Sequence, residues 1–180
     1  MHKKNAPHLD LAHEYWKSIV TSDDLAIDAT IGNGHDTLFL SGLAKEVIGL
    51  DIQPEALKAT AQRTEGLNVR LHLLSHAEIR SIPLPHPPKL IVFNLGYLPG
   101  GDKSLTTRRD TTLHSAQESL TLLAPGGALS ITCYPHEEGL KEEAALVQWT
   151  ESLDVKSWHI SHHKWEAGRP TLLWICALHS

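Results

Sequence analysis

The sequence predicts a single α/β domain with a seven-stranded, mostly parallel sheet and helices on both faces. The chain has 180 residues, enough for one domain with its own core and little more. Apolar strand-like runs alternate with helical segments along most of the chain, as in parallel sheets whose crossovers are helices. The last two strand-like runs are joined by the short loop at 167–170, so we expect them to pair antiparallel.

Hydrophobic periodicity and punctuation residues place the elements in order. Apolar side chains at helical spacing predict a first helix over 9–20. The predicted strands follow at 25–29, 46–51, 68–74, 89–95, 128–134, 155–165 and 170–178. The other predicted helices are 36–44, 54–64, 107–123 and 137–152, and Pro54 suits the first turn of its helix. The proline-rich stretch 81–88 is compatible only with a loop.

Charge and composition narrow the function classes. A net charge of −5 argues against nucleic-acid binding by overall electrostatic attraction. A nucleic-acid partner would therefore need a local basic site. Residues 137–151 hold five acids and one base, which predicts a solvated acidic helix. No apolar run is long enough to span a membrane, and no secretory signal is evident, so we expect a cytoplasmic protein without a membrane partner. Cys133 and Cys176 lie in apolar strands, which favours buried thiols.

A glycine-bearing loop follows the first predicted strand. In a parallel sheet of this kind the ligand lies at the carboxyl ends of the strands, and Gly32 and Gly34 would let the backbone approach it closely. A dinucleotide site would have a third small residue where Thr37 stands. Asp28 would repel a pyrophosphate but suits a ligand that carries an ammonium group. The pattern therefore argues against a dinucleotide and suits a ligand with an ammonium group; the alternative is a tight structural turn.

Polar residues after the second and third strands extend this site. Asp51 follows Gly32 by 19 positions, the spacing of one strand–helix–strand unit, and can accept both hydroxyls of a ribose. Its alternative role is to cap the helix that begins at Pro54. Ser75 and His76 follow the third strand and could line an adenine pocket.

The 13 histidines do not indicate a metal site. They are spread over the chain without the ligand spacings of zinc sites, so no metal is expected. His159, His162 and His163 are close in sequence, but they fall on a predicted strand, where alternate residues face opposite ways.

The sequence resembles the class I, Rossmann-like S-adenosylmethionine (SAM) methyltransferases in three features. These are the strand–Asp–x–x–x–Gly–x–Gly pattern, the acid that ends strand two and the two extra strands at the end. That resemblance covers almost the whole chain. It implies one methyltransferase domain over 1–180, with an N-terminal helix and lead-in at 1–24, and a last strand inserted antiparallel. It also implies SAM as methyl donor, bound by Asp28, Thr30, Gly32, Asn33, Gly34, Asp36, Thr37, Asp51, Ile52, Gln53, Ser75, His76, Asn94, Leu95 and Gly96.

The loop after strand four narrows the resemblance. Amino-group methyltransferases often carry Asn/Asp-Pro-Pro-Tyr/Phe at this point. Asn94 and Tyr97 keep that spacing, but Leu95 and Gly96 replace the two prolines. This difference argues against an adenine N6 methylase. The strings NLGYLPGGDK, DATIGNGHDT and DIQPEAL resemble the small MnmM-type family, long labelled "putative rRNA methylases". That family implies methylation of the aminomethyl group of wobble 5-aminomethyl-2-thiouridine, with the tRNA anticodon stem-loop as partner. The sequence leaves monomer or homodimer open.

Roles for the acceptor side follow from that resemblance. Asn94 would orient the amine and Tyr97 would stack on the base, while His136, or alternatively Asp102, would accept the proton. The remaining acceptor contacts are expected from Pro99, Gly100, Lys103, Arg108 and Arg109. The three basic residues would contact phosphates, the alternative being a solvated helix start.

Two segments depart from the family pattern, and they keep other functions open. The stretches 134–139 and 162–170 differ from the family where the acceptor would dock. The alternatives are the same chemistry on rRNA or on a small-molecule amine, a dehydrogenase, and a non-catalytic RNA-binding protein that retains the fold.

Overall fold

A computed structural model describes residues 6–96 and 108–178 of the chain. The helices are α1 (Pro7–Ile19), α2 (His35–Ser41), α3 (Pro54–Arg63), α4 (Arg109–Leu122) and α5 (Glu137–Thr150). The strands are β1 (Leu25–Asp28), β2 (Glu46–Asp51), β3 (Val69–Leu73), β4 (Leu90–Leu95), β5 (Ala128–Cys133), β6 (Trp158–His163) and β7 (Thr171–Ala177). In the described parts of the chain, no helix is both long and apolar enough to cross a bilayer.

The seven strands form one sheet in the order β3-β2-β1-β4-β5-β7-β6. Strands β1 to β5 are parallel, and β7 is inserted antiparallel between β5 and β6. The predicted fold class is therefore confirmed, including the inserted last strand. Because the chain reverses direction across the sheet between β1 and β4, a crevice is expected at the carboxyl ends of these two strands.

Each face of the sheet has its own apolar core. Every residue of β1 and β5 is buried, as expected for strands covered on both faces. On one face Ile27, Ile91 and Ile131 pack with residues of α4 and α5, together with the short 3-10 helix His76–Ser81. On the other face the cluster includes Leu40 of α2 and Trp16 of α1.

Helix α1 is fixed to the sheet by a buried polar contact as well as by packing. The indole Nε1 of Trp16 donates a 2.9 Å hydrogen bond to the Ser130 hydroxyl of β5. Tyr15 stacks on Trp174 of β7 and hydrogen-bonds His163 of β6 at 2.9 Å. These contacts with β5, β6 and β7 fix the position of α1 on the sheet.

The structure confirms two further expectations from the sequence and corrects a third. Between β3 and β4 the 3-10 helix ends at Ser81, and the loop predicted over the proline-rich stretch 81–88 follows it. The acidic helix is not uniformly solvated: Glu142 is fully buried and accepts a 2.6 Å hydrogen bond from Thr112, while Glu143 bonds His162 and Thr171. The opposite-face prediction for His162 and His163 is confirmed, since the first contacts α5 and the second α1.

We expect Trp16→Phe to lower the free energy of unfolding by about 1–3 kcal/mol, because it leaves the buried Ser130 hydroxyl without its donor. Chemical denaturation would measure this loss. Val155→Ala, at a side chain that is 78% exposed, is the control and should change stability by less than about 0.5 kcal/mol. A Trp16→Phe/Ser130→Ala double variant should lose less than the sum of its single variants. Strict additivity would contradict the coupling.

Candidate functional site

A cleft of about 700 Å³ opens at the carboxyl edge of the sheet. Residues directly after β1, β2, β3, β4 and β5 line it, as predicted from the parallel topology. The site residues predicted from the sequence that line the cleft are Thr30, Gly32, Asn33, Asp36, Asp51, Ile52, Gln53, Ser75, His76, Asn94, Gly96, Arg108 and His136. The volume falls within the range of small-molecule sites.

The loop between β1 and α2 is shaped by its two glycines. Gly32 and Gly34 have φ angles of +52° and +82°, a region that other residues rarely adopt. Gly34 is the N-cap of α2, and a Cβ there would lie 2.8 Å from the Thr60 hydroxyl of α3. The backbone N–H of Ile31 donates to Leu50 of β2 and so extends the sheet into the loop. The glycines thus let the loop pass close to both α3 and the cleft.

Asp28 lies beneath this loop and does not line the cleft. It is fully buried, and its carboxylate accepts hydrogen bonds from the Thr37 hydroxyl at 2.7 Å and the Thr30 backbone N–H at 3.3 Å. Burial, and then the nearby charge of Asp36, raise the pKa of Asp28 to about 7. Thr37, Gly34 and Leu95 are likewise buried supports of the loop and of β4. Asp28 therefore holds the loop, and with this raised pKa its carboxyl is only partly ionised near pH 7.

Asp51 sits at the end of β2 with its carboxylate fixed by backbone groups. Oδ2 accepts from the Gly32 N–H at 3.2 Å, and Oδ1 accepts from the Gln53 N–H at 3.0 Å. Burial raises the pKa of Asp51, and these hydrogen bonds oppose that shift. A carboxylate has more acceptor positions than these two bonds use, so Asp51 can still receive the two hydroxyls of a ribose. Its alternative role at the start of α3 is seen in part, because Gln53 is the N-cap residue and its N–H donates to Asp51.

Asn94, the fifth residue of β4, is anchored at both its backbone and its side chain. Its backbone N–H donates to the Thr30 hydroxyl at 2.6 Å, and its Nδ2 donates to Oδ2 of Asp36 at 2.9 Å. Because a carboxylate can only accept, this contact assigns the amide nitrogen to Asp36. The carbonyl oxygen of Asn94 is then the atom available to accept a hydrogen bond from an amine in the cleft.

His136 is the N-cap residue of α5, and its ring accepts a hydrogen bond from that helix. Its Nδ1 accepts a 3.0 Å hydrogen bond from the Gly139 backbone N–H, so the neutral ring carries its hydrogen on Nε2. A nitrogen that already carries hydrogen cannot accept a proton, so the role suggested for His136 from the sequence does not fit this geometry. Nε2 lies toward β4, 3.5 Å from the position of a Cβ on Gly96. His136 can therefore donate a hydrogen bond there.

Ser75 and His76 form one wall of the cleft. The Ser75 hydroxyl caps the 3-10 helix by accepting from Ala77 N–H at 3.2 Å. Burial lowers the pKa of His76 to about 4, so its ring is neutral near pH 7 and packs edge-on against Phe93. A neutral, half-buried aromatic wall suits an uncharged heterocycle such as adenine.

The acceptor side is only partly within the described residues. Arg108 lines the cleft at the N-cap of α4, whereas Arg109 faces outward and pairs with Asp110. The other acceptor positions predicted from the sequence lie outside the described residues: Tyr97, Pro99, Gly100, Asp102 and Lys103. No group of three or more potential metal ligands occurs in 6–96 and 108–178.

Sequence reasoning missed several residues that line the cleft. They are Leu9, Ala29, Ile31, His35, Leu74, Thr111 and Tyr134. Ala29, Leu74 and Tyr134 are the last residues of predicted strands, one position beyond the observed strand ends, so the rule that ligands bind at carboxyl ends could have found them. Leu9 could not be found in this way, because it comes from α1 and reaches the cleft through tertiary packing alone.

Comparisons with known proteins agree with this architecture. The family model described as "Putative rRNA methylase" matches residues 47–177 of the chain. The chain belongs to this family. The matched range begins in β2, so α1, β1 and the glycine loop precede it.

Relatives with solved structures share the whole fold. A protein from Clostridium thermocellum whose crystal structure is described as a "putative rRNA-methylase" superposes with a TM-score of 0.89 and is 30% identical, with 99% of this chain and 100% of that one covered. A "putative methyltransferase" from Streptococcus mutans, solved in complex with SAH, gives 0.88 and 34%, with the same coverage.

A curated relative from Arabidopsis thaliana is named "tRNA (mnm(5)s(2)U34)-methyltransferase, chloroplastic". It is 34% identical over 166 residues, covering 83% of this chain. The chain spans 61% of the length of that relative.

Gly34→Ala should destabilise this family member by more than the backbone term alone. A positive φ costs a Cβ-bearing residue about 1–2 kcal/mol, and the clash with Thr60 adds about 1–3 kcal/mol of overpacking. Gly66→Ala is the matched control, since Gly66 has a φ of +76° but nothing within 4 Å of its added Cβ. Denaturant titration of both variants would test this difference. Equal losses would show that Thr60 yields to the methyl group.

Asp28→Asn should stabilise the ligand-free protein more at pH 8 than at pH 5, relative to wild type. With its folded pKa raised from 3.8 to about 7, Asp28 opposes folding increasingly as pH rises through that window, and fully above it. The slope is about 1.4 kcal/mol per pH unit, so several degrees of melting temperature are expected between the two pH values. Thermal melts at both pH values measure it.

Because only the change between the two pH values is compared, any pH-independent effect of the new amide cancels. Asp154→Asn is the control, since hydrogen bonds from Ser157 and the Lys156 backbone lower the pKa of this exposed carboxyl. Its effect should be the same at pH 5 and pH 8. A pH-independent effect of Asp28→Asn would mean that Asp28 is ionised throughout this range.

Proposed function

We propose that this protein transfers a methyl group from SAM to the aminomethyl nitrogen of wobble 5-aminomethyl-2-thiouridine in tRNA, giving the 5-methylaminomethyl nucleoside. The observation that carries the proposal is the anchored Asn94 at the end of β4, beside a cleft bordered by acids. The curated relative's name and the SAH in the Streptococcus mutans structure support the same chemistry. The whole chain, 1–180, would act as one methyltransferase domain.

The residues around the cleft fit SAM. Asp36 and Asp51 line it and Asp28 lies beneath it, so the site favours a ligand with positive charge. When bound, SAM supplies a methyl group on a positively charged sulfur, together with an ammonium group. A pyrophosphate would instead meet these carboxylates, with Arg108 at one edge as its only strong cation among the described lining residues. This charge pattern disfavours the dehydrogenase alternative.

The positions of the lining residues support a proposal for the individual cofactor contacts. Asp51 would receive the ribose hydroxyls, and Ser75, His76 and the exposed Ile52 would surround the adenine. Thr30, Asn33 and the glycine loop would follow the amino-acid portion of the ligand. Further cofactor contacts are expected from Gln53, which follows Ile52, and from Leu95 and Gly96, which follow Asn94.

On the acceptor side, Asn94 Oδ1 would accept a hydrogen bond from the incoming amine and aim its lone pair at the methyl group. Transfer then needs the nitrogen, carbon and sulfur in line, with water excluded. The amine must reach the site neutral, and since His136 Nε2 carries hydrogen, Asp102 or solvent takes the proton in this proposal. Tyr97, Pro99 and Gly100 would hold the base.

Docking of the anticodon stem-loop would rely on a small basic rim. Arg108 at the cleft edge and the exposed Arg109 would join Lys103 in contacting phosphates. The partner is then held at the rim while acids line the interior. A cytoplasmic location is part of this proposal, because both described cysteines are free thiols.

A methyl-transfer assay with nucleoside mass spectrometry tests the proposal. Purified protein, SAM and tRNA carrying the unmethylated aminomethyl nucleoside should yield the 5-methylaminomethyl product. Asn94→Ala should lower kcat by about a hundredfold or more, while calorimetry finds SAH affinity changed much less. Asp51→Asn is the complementary variant and should weaken SAH binding.

Ribosomal RNA and tRNA without the aminomethyl group serve as competing acceptors. Methylation of rRNA alone would replace the tRNA assignment, and SAH binding without transfer to any acceptor would favour a non-catalytic RNA-binding protein. A product unchanged in Asn94→Ala would remove Asn94 from the mechanism.

A further inference from the structure

Helix α1 supplies a side chain to the cleft's carboxylate from outside the matched family range. His13 lies on α1, before residues 47–177. Its ring stacks on Phe39 of α2 with centroids 3.8 Å apart and 13° between the planes, and lies 4.9 Å from the Trp16 ring. Its Nε2 is 2.9 Å from Oδ1 of Asp36. The His13 ring is therefore stacked on one aromatic ring and packed against a second, while its Nε2 meets Asp36.

Asp36 connects this histidine to Asn94. The two carboxylate oxygens are divided, since Oδ1 contacts His13 and Oδ2 accepts from Asn94 Nδ2, each at 2.9 Å. A carboxylate held at one oxygen only could rotate about its terminal torsion, which is soft. Held at both oxygens, it has one plane, and that plane fixes the direction in which the Asn94 amide points.

We propose that His13 is a positioning residue for methyl transfer, which acts through Asp36 to hold the Asn94 carbonyl oxygen toward the acceptor amine. This inference rests on the proposed function for its catalytic consequence, but not for the geometry itself. His13 does not touch the cleft's ligand; it sets the orientation of the side chain that does. The N-terminal helix is thereby part of the catalytic arrangement rather than only a cover for the sheet.

Three variants separate this role from a general contribution to folding. His13→Phe keeps an aromatic ring for the stack on Phe39 but removes the hydrogen bond to Asp36. His13→Gln restores an N–H donor near the position of Nε2. Tyr15→Phe is the matched control, because it removes one 2.9 Å hydrogen bond of the same helix, to His163, on the side away from Asp36.

In methyl transfer to tRNA, His13→Phe should lower kcat about ten- to a hundredfold, with KM for tRNA and SAH affinity within about threefold of wild type. His13→Gln should recover most of the loss, and Tyr15→Phe should stay within about twofold. In an Asp36→Asn background, His13→Phe should add little further loss. Equal losses in His13→Phe and Tyr15→Phe, or no recovery in His13→Gln, would overturn the proposal.

A second readout does not depend on activity. The side-chain amide signals of Asn94 can be followed by nitrogen–proton NMR of the ligand-free protein and identified by their disappearance in Asn94→Asp. They should shift and exchange faster with solvent in His13→Phe, but not in Tyr15→Phe. Unchanged signals in His13→Phe would overturn the positioning role by itself, whereas wild type that fails to methylate tRNA would overturn only the proposed function.

Discussion

The carboxylates at the carboxyl ends of β1 and β2 and at the start of α2 are the constraint on which the site depends. Asp28 is buried beneath the loop that Asp36 follows, and the charge of Asp36 helps to raise the pKa of Asp28. Placing acids together in a partly desolvated crevice is unfavourable unless hydrogen bonds or a cation compensate them. The protein compensates with Thr37, Thr30 and His13. A positively charged ligand would complete that compensation, which links the cleft's electrostatics to its cofactor.

Helix α1 packs on the sheet and also contacts one of these carboxylates. Trp16 fixes α1 to β5, and this anchoring places His13 beside Asp36 one turn earlier on the helix. Leu9, a further turn toward the N-terminus, then reaches the cleft wall. Helix α1 therefore contributes to the core, contacts Asp36 and lines the cleft, so a change in its packing would also move side chains at the site.

Local pattern was sufficient to predict the sheet, the glycine loop and Asp51, because strand alternation and the 19-residue spacing are properties of one strand–helix–strand unit. The contact between His13 and Asp36 joins residues 23 positions apart on two different helices, and no hydrophobic periodicity in the sequence predicts it. The cap formed by His136 depends on which ring nitrogen accepts, a choice made by the Gly139 backbone. Glu142 was expected in solvent, yet it points to Thr112, since burial of a helix face depends on its neighbour.

The distribution of charge also bears on how an acidic protein could take the proposed RNA acceptor. Asp36 and Asp51 line the cleft, and Glu142 and Glu143 are turned toward Thr112, His162 and Thr171. The more exposed Glu137 and Glu138 at the start of α5 are ion-paired with Lys141. The bases Arg108 and Arg109 begin α4 at the open edge of the cleft. Screening confines exposed charges to about 8–10 Å, so an RNA at the cleft would meet the potential of Arg108 and of the Arg109–Asp110 pair rather than the net charge of −5. Under the proposed function, a rim of so few cations would give weak non-specific binding, and acceptor recognition would then come mainly from the nucleoside inside the cleft.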